Sequence, residues 1–286
     1  MYELLKDLLP VGFKLFCLLL SPGVDPGQQF MGRHVLPQRL FFEQRPVDEL
    51  PEGRFLLPVE LHLHGVRVVL AAQNQQRLDA LAGELGGVNV ESLDATDIEA
   101  VDAFIRGVVE RHGRIDGLVN CVGSIVLKSA HATKPEEYRE VVRSNLDTAF
   151  AAVRAGAKAM TTTGGSIVLM ASAAARVGLP NHEAIAAAKA GVIGLAQSAA
   201  ATYAGRGVRV NVVAPGLVDT PMSAAITGSP LMLKASEAMH PLGRIGRPDE
   251  VAQVITWLLG PESSWVTGQV IGIDGGLATV RGKATG

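Results

Sequence analysis

Val66–Ala72 (VRVVLAA) is almost wholly apolar, as a strand buried on both faces of a sheet requires. Leucines at helical spacing follow in Asn74–Leu85, and Val88–Leu93 has the pattern of the next strand. A strand, a helix and a strand in this order predict parallel strands joined by a right-handed crossover. The segment therefore predicts one repeat of an α/β fold.

The same alternation continues toward the C-terminus. Apolar runs predict further strands at Ile115–Val122, Gly165–Ser172, Val208–Ala214 and Gln269–Ile273. Helices are predicted from Thr96 to about His112, from Thr133 to about Met160, and at His182–Tyr203 and Asp249–Leu259. Such alternation is typical of a doubly wound parallel sheet of the Rossmann type. Ligands bind beyond the carboxyl ends of these strands, so functional side chains are expected there.

The overall composition narrows the class of protein. The chain has 286 residues, of which 48% are hydrophobic and 19% charged, as is usual for a soluble protein. Its net charge of -2 does not favour nucleic acid or an anionic membrane as a partner. Cys17 and Cys121 form neither a metal-type pair nor a disulfide framework, which favours the cytoplasm and no metal site. The early apolar stretch Val11–Leu20 contains Lys14 and is too short to span a bilayer.

The N-terminal region has a different character from the rest. Residues 1–52 show no sustained strand-like or helical period and are interrupted by prolines. We therefore assign this segment no fold. A Rossmann-type domain is expected at residues 53–281, followed by a short tail at 282–286.

Polar residues and glycines stand at the ends of the predicted strands. NAD-selective folds usually place an acid directly after the strand that corresponds to Val66–Ala72, where it binds the ribose hydroxyls, but no acid follows that strand here. NADP-selective folds place an arginine there, for which Gln73 is only a weak substitute. Asp94 could contact adenine or form a turn, and Asn120 could bind a ligand or close a turn. Gly123 would let the backbone approach a ligand closely. Ser172 ends the predicted strand Gly165–Ser172, and Pro215, Gly216 and Thr220 follow the predicted strand Val208–Ala214.

Lys189 is the most informative single residue. It is the only charged residue between Ala184 and Gly205, in a helix of small and apolar residues. A charge on so closely packed a helix needs a partner or a function, although a snorkelling surface lysine is the alternative. Asn145, inside an amphipathic helix, is a weaker candidate.

Taken in order, these residues resemble the short-chain dehydrogenase/reductase family. Asn120–Gly123 (NCVG) is similar to the family's Asn-Asn-Ala-Gly. Its late segments are matched closely by NVVAPGLVDTPM at 211–222, PLGRIGRPDEVAQVITWLL at 241–259 and SSWVTGQVIGIDGG at 263–276. The resemblance covers about Gly65–Val280. It implies NAD(P)-linked hydride transfer on a carbonyl or alcohol, a small-molecule substrate and a homo-oligomer built on the two long helices.

The resemblance also implies a role for each matching residue. For the cofactor, it implies that Asp94 contacts adenine, Asn120 and Gly123 flank the ribose, Lys189 holds the nicotinamide ribose, and Pro215, Gly216 and Thr220 position the nicotinamide amide. For the chemistry, Ser172 would polarise the substrate oxygen and Asn145 would hold a proton-relay water. In the family a tyrosine transfers the proton, and the lysine lowers the pKa of that tyrosine.

The first departure from the family pattern is the tyrosine. The family places it four residues before the lysine, but position 185 is isoleucine, which cannot transfer a proton. His182 is the candidate replacement, because it shares a helix face with Ile185 and Lys189 and an imidazole titrates near neutral pH. The alternative is a histidine that lines the mouth of the pocket without chemistry.

The second departure is the glycine-rich phosphate loop. Gly53–Leu57 resembles the family's opening strand, yet Pro58–His64 lacks glycine and is too short for a parallel crossover. If the loop is instead placed at Val47–Arg54, charged residues stand at its glycine positions. Either alignment leaves the first βαβ unit truncated or altered. The sequence thus predicts weak binding of NAD(P), with a slight preference for NADP.

Two functional hypotheses follow. The leading one is an oxidoreductase of the short-chain dehydrogenase/reductase type, whose activity these two departures would impair. The alternative is a non-catalytic relative that binds a ligand or pairs with an active subunit. Met222–His240 is expected to form a lid, and its apolar residues favour a partly apolar substrate.

Overall fold

The framework of the molecule is a mostly parallel sheet. The computed structural model describes residues 16–20, 67–84 and 88–281. Its strands are β1 (Phe16–Leu20), β2 (Arg67–Ala72), β3 (Asn89–Ser92), β4 (Gly117–Asn120), β5 (Gly165–Met170), β6 (Val208–Pro215) and β7 (Val270–Ile273). Over the described ranges they form one seven-stranded sheet with the order β3-β2-β1-β4-β5-β6-β7.

Helices connect the strands and cover the sheet. They are α1 (Gln75–Glu84), α2 (Ile98–His112), α3 (Pro135–Val142), α4 (Thr148–Met160), α5 (Glu183–Tyr203), α6 (Ala224–Thr227), α7 (Pro230–Met239) and α8 (Pro248–Leu259). A π-helical turn, Arg143–Asp147, joins α3 to α4. Helices α2, α4 and α5 pack on one face of the sheet, and α1 and α8 pack on the other.

The pairing of the strands confirms the predicted fold. Strand β2 pairs in parallel with β3, and β4, β5, β6 and β7 pair in parallel in that order. All four residues of β4 are buried, because helices cover both faces of the sheet at its centre. The continuous apolar runs in the sequence reflect this double burial.

Strand β1 is the exception to the parallel arrangement. The patterns in residues 1–52 support no fold assignment, yet β1 comes from this segment and lies inside the sheet, between β2 and β4. It is antiparallel to both neighbours, with Leu18 opposite Val69 and Leu118. The predicted doubly wound parallel sheet of the Rossmann type is confirmed for the sheet as a whole, and β1 is the one antiparallel strand within the described ranges. The predicted opening strand at Gly53–Leu57 lies outside the described residues.

A core substitution tests the place of β1. Leu18 is fully buried against both neighbouring strands, so Leu18→Ala should lower the free energy of unfolding by about 3 kcal/mol. Leu231→Ala makes the same chemical change at a leucine that is 80% exposed and should cost less than about 0.5 kcal/mol. Urea denaturation measures both variants. Equal stability of the two would show that β1 does not belong to the core.

Local hydrogen bonds shift two predicted helix starts. The side chain of Asp97, rather than Thr96, caps α2 by accepting from the backbone amides of its second and third residues. Helix α5 begins at Glu183, with His182 as its N-cap. The preceding Asn181 has a φ of 62°, a left-handed conformation that a helix cannot include.

Helix α5 is unusually apolar for its length. The segment Glu183–Arg206 is long and apolar enough to cross a bilayer by composition alone. In the fold, however, α5 packs against β6, α3 and α4, and it carries the buried Lys189. Its apolar character is therefore that of a core helix.

Candidate active site

One cavity lies beyond the carboxyl ends of β4, β5 and β6, where this fold class binds ligands. Its volume is about 340 Å³, and α5, α8 and the segment after β6 complete its wall. Seven of the residues singled out from the sequence line it: Gly123, Asn145, Ser172, Lys189, Pro215, Gly216 and Thr220. The structure thus brings together side chains from distant parts of the chain.

Lys189 is the buried cation of this cavity, with 7% of its surface exposed. Its Nζ donates a hydrogen bond to the backbone oxygen of Met170, 2.8 Å away at the end of β5. Loss of hydration lowers the pKa of Lys189 to about 8, although the nearby Cys121 thiol opposes the shift. Burial raises the pKa of Cys121 to about 11. The amine is therefore partly neutral near pH 8, whereas the thiol stays protonated.

Gly123 allows Asn145 and Lys189 to approach each other. A Cβ at Gly123 would lie 2.7 Å from Asn145 Oδ1 and 3.3 Å from Lys189 Nζ, so any side chain there would displace both groups. Asn145 Oδ1 accepts from the backbone amide of Ser124, and its Nδ2 donates to Ser124 Oγ and to the oxygen of Val141. Asn145 belongs to the π-helical turn, a local geometry that often occurs at functional sites.

Ser172 and Ile185 face the same cavity. The Oγ of Ser172 accepts a hydrogen bond from the backbone amide of Ala174 at 3.2 Å, so its O–H can donate to a substrate oxygen. Ile185 is 5% exposed and lies one helical turn before Lys189. Its aliphatic side chain occupies the position where the resemblance leads us to expect a phenol.

The segment after β6 is held by side chains that the sequence did not single out. Ser223 is 2% exposed, and its Oγ donates to the backbone oxygen of Val218. The Nε2 of His240 accepts from the amide of Leu217 at 3.2 Å, and its Nδ1 donates to the oxygen of Ser236 at 2.7 Å. These two bonds require the neutral tautomer with its proton on Nδ1. His240 therefore connects the end of α7 to the segment that lines the cavity.

The remaining cofactor candidates lie elsewhere along the same edge of the sheet. Asp94 and Gln73 line a cavity of about 10 Å³ at the ends of β2 and β3. Burial opposes ionisation of Asp94, but hydrogen bonds from Thr96 and Gln73 and the charge of Arg143 hold its pKa below the usual value. Asn120 is buried, and its Oδ1 accepts from the backbone amide two residues later, which closes the turn after β4.

His182 lies at the start of α5, away from the cavity lining. Its ring is half-buried, and its Nδ1 is 2.7 Å from the backbone oxygen of Pro180. Ile185 and Lys189 line the cavity, whereas His182 does not. Proton transfer by His182 would require the imidazole to turn away from Pro180.

A second cavity, of about 400 Å³, lies between β7 and the segment before α8. Hydrogen bonds from Arg244 and from the backbone of Arg247 lower the pKa of Glu250 there to about 2. Most of its lining comes from the segments 241–259 and 263–276 that match the family, but it includes none of the individual candidate residues for catalysis or cofactor binding. We therefore place the candidate active site in the smaller cavity.

Comparison with known proteins identifies the family. The family model described as enoyl-(acyl carrier protein) reductase matches residues 59–278. The 3-oxoacyl-(acyl-carrier-protein) reductase FabG of Thermotoga maritima is 40% identical over 221 residues, which cover 74% of this chain and 88% of that protein. The inactive 2-(S)-hydroxypropyl-CoM dehydrogenase 2 of Xanthobacter autotrophicus is 34% identical over 225 residues, covering 76% of this chain and 96% of that protein.

A solved structure agrees with these relatives. A variant of actinorhodin polyketide ketoreductase, crystallised with NADPH, superposes with a TM-score of 0.73 at 29% identity. The match covers 78% of this chain and 92% of that chain. Sequence, fold and the arrangement of the cavity residues lead to one assignment. The chain belongs to the short-chain dehydrogenase/reductase family of NAD(P)-linked oxidoreductases.

Proposed function

We propose that the protein transfers hydride, with NAD(P), to or from a carbonyl or alcohol carbon of a small, partly apolar molecule. The observation that carries this proposal is the convergence of Ser172, Lys189 and Asn145 on one cavity. Met222 and Ile255 line the same cavity and favour an apolar group next to the reacting carbon.

Each residue of the cavity has a distinct part in this chemistry. NAD(P) supplies or accepts the hydride when it is bound. Ser172 donates a hydrogen bond to the substrate oxygen and stabilises the negative charge that develops on it. Lys189 holds the nicotinamide ribose, and Asn145 holds a water through which a proton can reach the site.

The nicotinamide half of the cofactor fits the residues that are present. Pro215, Gly216 and Thr220 line the cavity at and after the end of β6 and would position the nicotinamide amide. Gly123, which has no side chain, lets Asn145 and Lys189 lie against the backbone where the ribose would bind. Asn120 and Asp94 would then serve the ribose and adenine further along the sheet edge.

The pyrophosphate half of the cofactor does not fit the described residues. Because β1 is antiparallel, Phe16 lies beside Asn120 at the cavity edge, and Leu20 lies at the opposite edge. A helix that directly followed Leu20 would begin at the edge away from the cofactor, so β1 does not lead into the helix N-terminus that usually anchors phosphate. We therefore propose weak binding, with a slight preference for NADPH because Gln73 stands where an NAD-selective acid is expected.

The proton donor is the remaining gap in the mechanism. His182 is the proposed replacement for the missing phenol, but its ring contacts Pro180 instead of the cavity.

In an assay of aldehyde reduction at millimolar NADPH, Ser172→Ala should lower turnover about 100-fold, because it removes the donor to the substrate oxygen. If the His182 ring stays outside the cavity, His182→Ala should lower turnover less than about tenfold. If His182 is the general acid, the same variant should lower turnover by two to four orders of magnitude.

The same assay distinguishes the alternative function. A non-catalytic relative that binds a ligand or pairs with an active subunit is favoured by Ile185 and by the antiparallel β1. One relative, 34% identical over 225 residues, is itself described as inactive. Turnover no higher in the wild-type protein than in Ser172→Ala, over a panel of apolar aldehydes and ketones, would support this alternative.

We further propose that the protein is a homo-oligomer. Helices α4 and α5 are rich in alanine, which permits close helix contact, and Phe150 on α4 is 47% exposed. Light scattering at micromolar concentration should show an oligomer, and Phe150→Glu should dissociate it. Leu231→Glu, on α7, is the matched control and should not. A folded wild-type monomer would contradict the proposal.

The cellular setting is proposed from composition and family. We place the protein in the cytoplasm, with a small-molecule substrate and with neither nucleic acid nor a membrane as partner. Of the described cysteines, Cys17 is buried in the sheet, and its burial raises the pKa of the thiol far above the usual value. An inert buried thiol of this kind suits a reducing compartment.

A further inference from the structure

Lys189 is positioned for a reaction in which no dinucleotide takes part. Its amine lies in a cavity of about 340 Å³ and has one backbone acceptor, the oxygen of Met170. Ile185, one turn before it, adds an aliphatic wall where the family pattern has a phenol. A neutral amine that donates one N–H to Met170 still has its lone pair available to the cavity.

We propose that Lys189 is a nucleophile that forms an imine with an apolar aldehyde bound in this cavity. Its Nζ lone pair attacks the carbonyl carbon, and the carbonyl oxygen takes up a proton to give a carbinolamine. This intermediate loses one water molecule as the C=N bond forms. Atoms and electrons balance without any oxidant or reductant, and addition of water reverses the reaction.

The neighbouring side chains suit this sequence of steps. Ser172 lines the same cavity and can donate its O–H to the carbonyl oxygen, which stabilises the charge during attack. Ile125, Met170 and Ile255 provide apolar contacts for the rest of the aldehyde. The cavity thus combines a nucleophile, a hydrogen-bond donor and an apolar wall.

The electrostatic setting favours the neutral amine. Loss of hydration lowers the pKa of Lys189 to about 8, while an ordinary lysine titrates near 10.4. At pH 8 its neutral fraction is then about a hundredfold that of an ordinary lysine. Among the described residues that line the cavity, Cys121 is the other titratable group, and its thiol is protonated at this pH. Buried lysines of lowered pKa are the ones that proteins use for imine chemistry.

Reductive trapping tests the proposal in the full-length wild-type protein without nicotinamide cofactor. The protein is incubated with butanal and sodium cyanoborohydride between pH 6 and pH 9, and the modified lysines are mapped by peptide mass spectrometry. We expect butylation of Lys189 to be at least about tenfold faster than that of the exposed Lys158, with a rate that rises through about pH 8. The result does not depend on hydride transfer, so it stands or falls separately from the proposed oxidoreductase activity.

Two variants and one outcome complete the test. Lys189→Arg keeps a positive charge and a donor for the hydrogen bond to Met170 but cannot form an imine. This variant should therefore lose the fast phase of labelling, which is the rapid butylation expected at Lys189. Lys158→Arg is the matched control at an exposed site and should keep that phase. Labelling spread over the exposed lysines, with Lys189 no faster than Lys158 in the wild-type map, would overturn the proposal. That map decides the question even if Lys189→Arg fails to fold.

Discussion

Replacing Ile185 with tyrosine is expected to raise NADPH-dependent reduction of an apolar aldehyde by about 10²- to 10⁴-fold, the usual contribution of a general acid. Position 185 lines the cavity one helical turn before Lys189, so a phenol there would point toward the same space. The ammonium form of Lys189 would lower the pKa of that phenol. In the proposed mechanism, Ser172 already supplies the hydrogen-bond donor to the substrate oxygen.

The matched control is Ile185→Phe, which adds the ring without the hydroxyl. Both variants enlarge a side chain packed against Val141 and Ala188, so both carry a similar packing cost. Initial rates at millimolar NADPH should rise for tyrosine alone. Equal rates for the two variants would mean that the pocket has lost its reactive geometry, and the non-catalytic alternative would then be preferred.

Most of the sheet could be predicted from the sequence because each strand carries its own signal. Most of the strands from β2 to β7 are apolar runs, the more polar β3 being the exception, and helices separate them. This alternation leaves few possible topologies. The carboxyl ends of those strands then indicated where the site must be. Of the proposed residues, Gly123, Asn145, Ser172 and Lys189 meet at one cavity as expected.

Strand β1 could not be predicted, for a physical reason. Its five residues follow no repeat that continues in the neighbouring sequence, and its partners β2 and β4 lie far along the chain. A short apolar run reads equally well as a strand or as part of a buried helix. Its direction depends on the neighbouring strands and on the connections at its ends, which no local pattern specifies.

Two features of the site also depend on tertiary structure. His240 is a single histidine at the end of α7, and only the folded chain shows that its ring accepts from the amide of Leu217. The π-helical turn at Asn145 interrupts what the sequence presents as one long helix. For His182, helical spacing predicts a place in the first turn of the helix, whereas the left-handed Asn181 makes His182 the N-cap and the helix begins one residue later.

Cofactor affinity should be lower by two to four orders of magnitude than in a relative with an intact glycine-rich loop. A charge-assisted amide–phosphate bond contributes about 1.5–3 kcal/mol, so the loss of two such bonds costs about 3–6 kcal/mol. The structural reason for this expectation is the antiparallel direction of β1, which puts Leu20 at the edge away from the cavity. The nicotinamide half, held by Lys189 and by the segment after β6, should contribute most of the remaining affinity.

The most direct measurement compares NADPH with reduced nicotinamide mononucleotide by titration calorimetry on the wild-type chain. If the pyrophosphate anchor is absent, the adenosine phosphate half of NADPH adds little to the binding affinity. The two dissociation constants should then be millimolar and lie within about tenfold of each other. Gly123→Val should weaken the binding of both ligands equally, because its side chain would displace Asn145 and Lys189. A low-micromolar constant for NADPH, with far weaker binding of the mononucleotide, would contradict the loss of the phosphate cradle.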